Sequence, residues 1–241
     1  MPTQSVYALQ KALISQLSDM GYANVTIKDN VAMLANLKRQ LEVHNKNVTF
    51  TQAEFERILN HLNSGYVFDR AIILREMFAL RRDDDEVSYI CFLNADDLCL
   101  NQFQVASQVI KLGKRKKRYD VTLIINGLPL VQIELLRNDM ELKVAFHHVN
   151  RYEHNCYDAG FGLFQYVQLF IISNGVDTKY FANNQHQSFQ QTFYWTDKEN
   201  KCTSDLYEFS HTFLKPCYIT KVLTHYMDMT EERVIKIRRP L

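Results

Sequence analysis

The sequence predicts an α/β fold: a mixed central sheet flanked by helices, with a mostly helical N-terminal segment. Three observations predict it. Apolar residues recur at helical spacing early in the chain, as at Leu9, Ala12, Leu13 and Leu17. The run from Tyr119 to Arg137 turns about Asn126-Gly127 and reads as a β-hairpin. Leu169-Phe170-Ile171-Ile172-Ser173-Asn174 is a short apolar run bounded by Gly175, the pattern of a strand buried on both faces.

Taken in order, residues 5–20 predict an amphipathic helix that stops at Gly21. A second helix is expected near 32–43. Thr51 with Glu54 three residues on forms a capping-box signature for a third helix, ending before Asn63-Ser64-Gly65. Strands are expected at 74–81 and 87–93, around the acidic run Asp83-Asp84-Asp85-Glu86. That run reads as a solvated turn, since nothing in it fixes a cation's ligand geometry. A strand near 102–110, the hairpin over 119–136, a helix near 139–153 and a short helix near 161–167 follow. Strands are expected at 169–174 and 180–182. Residues 185–204 are polar and weakly patterned. Helices near 205–214 and 217–227 precede a last strand near 233–238. The domain reading is a helical segment, 1–70, packed on a sheet-bearing core, 71–241, the two fused as one domain.

Composition narrows the class. The 241 residues are 46% hydrophobic, enough for one large core or a core plus a small lobe. Net charge is +1, so contact with nucleic acid would have to come from local patches. One such patch is Lys111, Lys114, Arg115, Lys116, Lys117 and Arg118, which ends two residues before Asp120. It reads either as a solvated loop or as a contact for DNA phosphates. Five scattered cysteines (Cys91, Cys99, Cys156, Cys202 and Cys217) include no Cys-x-x-Cys pair and read as buried free thiols of a cytoplasmic protein. There is no signal-peptide pattern, no apolar run long enough to span a membrane, and no glycine-rich phosphate loop.

The hairpin carries chemistry as well as structure. Asp120 opens its first strand and Glu134 lies near the end of its second. Two carboxylates brought together this way can hold Mg²⁺, which takes oxygen ligands and keeps several waters. An ordinary hairpin with solvated acids at its ends would show the same spacing.

The block Asp120, Asn126-Gly127-Leu128-Pro129-Leu130 and Glu134 resembles the nuclease core of the R (restriction) subunit of type I restriction enzymes, in the PD-(D/E)xK superfamily. The resemblance extends through Phe146, Arg151-Tyr152, Gln165-Tyr166, Leu169-Phe170, Ile172-Ser173-Asn174-Gly175, Asp177-Thr178 and Tyr180-Phe181-Ala182-Asn183. Upstream, Gly21-Tyr22 and Ala32-Met33-Leu34-Ala35-Asn36-Leu37 fit as well, so most of the chain is covered. It implies a restriction-endonuclease-like sheet and a Mg²⁺-dependent endonuclease acting on double-stranded DNA. Methylation and specificity subunits are the implied partners. ATP would act only through motor domains beyond this chain, which reads as a fragment or a chain ending at a domain boundary.

Three positions depart from the family pattern. The motif lysine is Leu136, which shares a strand face with Glu134 but offers neither charge nor proton. The glutamine of a Gln-x-x-x-Tyr pair is His148, one helical turn before Tyr152. Val6 and Gln10 stand where relatives carry acids. Two readings of Leu136 are open: a lost catalytic group, or a packing residue. Lys143 could replace the lysine, or could be a solvent-facing helix residue. The site set is therefore Asp120 and Glu134 as metal ligands, with Lys143, His148 and Tyr152 beside them and residues 114–118 on DNA. The competing class is a decayed nuclease retained as a DNA-binding or assembly module.

Overall fold

Local capping signals set the first three helices. α1 (Val6–Asp19) begins where the Ser5 hydroxyl accepts from the Ala8 N–H at 3.2 Å, and Gly21, at φ 104°, follows it. Asp29 caps α2 (Asn30–His44) through the Ala32 N–H at 2.8 Å. Thr51 and Glu54 close a reciprocal capping box on α3 (Gln52–Leu62). A further helix, α4 (Val67–Ile73), was not expected; seven residues are too few for the periodicity to declare itself. The strand predicted from 74 accordingly begins at Met77.

A computed structural model describes residues 5–46, 48–107, 110–111, 117–118, 120–156, 162–184, 187–197 and 199–238. At 110–111, 117–118 and 151–156 it describes the backbone alone. The central sheet contains β1 (Ala23–Val25), β2 (Phe103–Ser107), β3 (Val121–Ile125), β4 (Leu128–Leu135), β5 (Leu169–Ser173) and β6 (Thr178–Ala182), side by side in that order. The pairs β1–β2 and β4–β5 are parallel, and the other three are antiparallel. Three-residue β1 was missed because so short an edge strand carries no alternation to read. The parallel step from β4 to β5 needs a crossover, which α5 (Leu142–Cys156) supplies.

The Asn126-Gly127 turn does more than reverse the chain. Both residues have positive φ, 50° and 84°, as a tight hairpin turn requires. Asn126 is wholly buried: its amide donates to the Phe92 carbonyl at 2.9 Å and to Asn101 Oδ1 at 2.7 Å, and its Oδ1 accepts from the Gln102 N–H at 2.7 Å. A Cβ on Gly127 would lie 2.6 Å from Leu37 Cα, so α2 packs directly on the turn.

Strand alternation divides the core. On one face, Val121, Leu123, Val131, Ile133, Leu135, Leu169 and Ile171 join a large cluster with residues of α1 to α4, α6 (Leu206–Phe213) and α7 (Pro216–His225). On the other, Leu136, Phe170, Ile172 and Phe181 pack under Leu142, Ala145, Phe146 and Val149 of α5. A separate hairpin, Met77–Arg81 with Val87–Cys91, turns through the acidic run. There Asp83 pairs with Arg57 at 2.8 Å and Asp85 with Arg81 at 2.6 Å.

The cysteine expectation is corrected. Cys99 and Cys217 form a disulfide across 118 residues. It joins the short 3₁₀ turn Leu98–Leu100 to the start of α7, a proximity that no spacing rule reveals. Cys91 is half-buried and unpaired, and Cys202 is exposed; the side chain of Cys156 lies outside the described residues.

Candidate metal centre on the central hairpin

Asp120 immediately precedes β3, and Glu134 is the penultimate residue of β4. Val121 pairs with Ile133, so the next step of the ladder sets Asp120 opposite Glu134. The Leu135 N–H donates to Asp120 Oδ2 at 2.9 Å, which ties the first acid to the strand that carries the second.

Glu134 lies on the α5 face. It is opposite Ile172 in the parallel register and shares its side of the strand with Leu136. It is 6% exposed, and its Oε2 is buried with no hydrogen-bond partner. Burial first, and the negative charge of Asp120 second, push its carboxyl up to about 8. A carboxyl in that position carries its proton through most of the neutral range.

Two carboxyl groups on one face, one with an unpartnered buried oxygen, fit a small divalent cation that takes oxygen ligands. Asp120 and Glu134 would hold it. Among the described residues no group of three His, Cys, Asp or Glu side chains comes together, so the set contains two acids.

The structure places the remaining sequence candidates as follows. Leu136 is 5% exposed within the α5 cluster, and its N–H donates to the Ser173 carbonyl at 2.8 Å, extending the β4–β5 ladder. Its side chain packs. Lys143 is exposed at the start of α5. It lines a cleft of about 410 Å³ with Asn138, Asp139, Asn174, Asp177 and Lys179, a lining that contains neither Asp120 nor Glu134. His148 is half-buried on α5. Tyr152 lies one turn further along the same helix, with its side chain outside the described residues. Lys114, Arg115 and Lys116 also lie outside them, and Lys117 and Arg118 are described only as the backbone of a two-residue strand paired with Ile110–Lys111.

Three polar residues close to the acids were not singled out as site residues. Thr122 and Gln132 are register partners two residues inward from the acids, and the Thr122 hydroxyl donates to Gln132 Oε1 at 2.8 Å. Alternation from Glu134 was the available signal for Gln132. Gln10 reaches the site from α1, where its Nε2 donates to the Asp120 carbonyl at 2.6 Å. Its spacing with Leu13 and Leu17, three and seven residues on, marked it as inward-facing.

A mixed six-stranded sheet flanked by helices, with an acid pair on its central hairpin, defines a protein of restriction-endonuclease-like fold. The chain belongs to the family described as the type I restriction enzyme R protein N terminus, which it matches over residues 7–189. Over its whole length it is 42% identical to the type I restriction enzyme SauCOLORF180P endonuclease subunit of Staphylococcus aureus strain COL. It has the same identity to the SsaAORF53P endonuclease subunit of Staphylococcus saprophyticus. In both cases it spans 26% of the relative, about a quarter of its length. It is 35% identical to the EcoprrI endonuclease subunit of Escherichia coli, over 98% of this chain and 78% of that one.

Proposed function

We propose that this chain is the Mg²⁺-dependent nuclease domain of a type I restriction R subunit, of PD-(D/E)xK type, cleaving phosphodiesters of double-stranded DNA. The observation that carries the reading is the register of β3 and β4, which faces Asp120 with Glu134 in a chain of this family. A divalent cation held there supplies charge neutralisation at the phosphate and a more acidic water. The protein's own part is to hold the two acids close, with Asp120 tied to the Leu135 N–H, and to wall off the Glu134 side with the α5 cluster. The basic run before Asp120 holds the DNA backbone. His148 and Tyr152, one turn apart on α5, are the second-rank site residues of this reading. Partners are DNA and the methylation and specificity subunits, in the cytoplasm; ATP is used by a motor carried elsewhere in the R subunit. Among the described residues no helix is long and apolar enough to cross a membrane.

A second reading has its own observation. Leu136 is buried in an apolar cluster where the motif calls for a lysine. On that reading the domain is a decayed nuclease, kept for DNA binding or for subunit assembly.

Plasmid cleavage by the reconstituted subunit with Mg²⁺ separates the two, with Asp120→Ala as blank. Leu136→Lys places a cation on the Glu134 face and is expected to raise cleavage, by up to about two orders of magnitude if the remaining groups are in place. Full cleavage by the unaltered protein that survives Lys143→Ala would refute both a damaged site and a surrogate lysine. For DNA binding, neutralising Lys116 and Lys117 is expected to weaken affinity for all sequences alike. It should also flatten the salt slope by about one to two units. Unchanged binding would mean a solvated loop.

A further inference from the structure

Among the buried residues of α1, Leu9, Leu13 and Leu17 are apolar and Gln10 is the polar exception. It is 4% exposed. A buried amide is costly unless it is bonded, and this one is bonded to the candidate site. Gln10 Nε2 donates to the Asp120 carbonyl at 2.6 Å, across 110 residues of sequence. Asp120 is therefore held at two points. Its carboxylate accepts from the Leu135 N–H of β4, and its carbonyl accepts from the α1 side chain. The second tie comes from a different layer of the molecule, and it falls at the residue where β3 has yet to begin.

We propose that Gln10 is a positioning residue of the acid pair: by holding the Asp120 carbonyl, α1 sets where the Asp120 carboxylate stands relative to Glu134. This rests on the reading of Asp120 and Glu134 as a divalent-cation site. The chemistry explains the residue type. A carbonyl oxygen accepts from a donor opposite it, and an amide supplies that donor without placing a fixed positive charge beside the acids, where it would compete with a bound cation. The cation affinity of the site thus depends on a helix that contributes no ligand to it.

The test is Mn²⁺ binding to the 241-residue chain, by calorimetry and by loss of the free-ion paramagnetic resonance signal, with Asp120→Ala as blank. Gln10→Met keeps the length and removes the donor; Gln10→Asn keeps the amide and withdraws it. Both are expected to weaken Mn²⁺ binding about tenfold, the scale of one lost hydrogen bond. Leu13→Ala, on the same buried side of α1, is the control: it should lower thermal stability and leave Mn²⁺ affinity where it was. Wild-type affinity in a folded Gln10 variant would overturn the positioning role while leaving the cation site intact, as would an equal loss in Leu13→Ala. Binding by the unaltered chain no stronger than by Asp120→Ala would remove the cation site itself, and the proposal with it.

Discussion

Two buried glutamates in this protein have opposite fates. Glu54 is 1% exposed and has full partnership: its carboxylate accepts from the Thr51 N–H at 2.9 Å, the Asp83 N–H at 3.1 Å and Arg82 Nε at 2.7 Å. Burial alone would raise its pKa; those two N–H groups and the Arg82 guanidinium outweigh burial and hold it below the usual range. Glu134, buried nearly as deeply, meets another acid in place of a cation and keeps an unpartnered oxygen. Its pKa moves up. Burial is the largest push on both carboxyls, upward in each case; at Glu54 the donors and Arg82 together outweigh it, and at Glu134 the neighbouring acid adds to it. Glu54 closes a capping box and ties the 77–91 hairpin to α3, whereas Glu134 is held in a state that costs stability.

The largest expected effect is from Glu54→Ala. It strands a half-buried arginine and two N–H groups, and a loss of about 3–4 kcal/mol is expected in urea unfolding at pH 7. A loss below about 1 kcal/mol would mean that water replaces those contacts, and the contrast with Glu134 would collapse.

Glu134→Gln should act in the opposite direction. Below the ordinary carboxyl range both folded and unfolded chains carry the proton, so there is no difference. Between 4.5 and about 8 the unfolded chain ionises while the folded chain keeps its proton, so wild-type stability falls as pH rises through that window and levels above it. Glutamine does not titrate, and the variant should be more stable by about 2–3 kcal/mol at pH 7 without added metal, converging with wild type near pH 4. A pH-independent difference would show that packing, not ionisation, separates the two. Glu54 has the reverse slope: its depressed pKa gives stability that is present above the ordinary carboxyl range and lost as pH falls through the folded value.

The smallest effect is expected from Thr51→Ala. It removes the hydroxyl that accepts from the Glu54 N–H but leaves the Arg82 pair, at a cost of about 1 kcal/mol in the same unfolding experiment. A cost equal to that of Glu54→Ala would make the cap, rather than the ion pair, the source of Glu54's stability.

Much of this was legible along the chain. The Thr51/Glu54 box, the Asn126-Gly127 turn, the buried strand Leu169–Ser173 and the facing of Asp120, at the entry to β3, with Glu134 on β4 all follow from rules that act within a few residues. Capping needs one side chain three residues from its N–H, a tight turn needs two positive φ angles, and alternation decides which side chains share a face. The elements missed, among them α4, β1, the 3₁₀ turn Leu98–Leu100 and the short strands Trp195–Thr196, Cys202–Thr203 and Met227–Met229, are those too short to show a period.

What the sequence determined by itself was therefore the local frame: the caps, the turn, the hairpin with its two acids, and the leucine where a lysine was expected. The tertiary structure alone decided that Glu134 is driven toward its protonated form, that Leu136 packs beneath α5, that Gln10 reaches the Asp120 carbonyl, and that Cys99 meets Cys217. The physical reason is range. Hydrogen bonds within a turn depend on neighbours in the chain, whereas desolvation and contacts made across 110 or 118 residues depend on which surfaces the whole fold presses together.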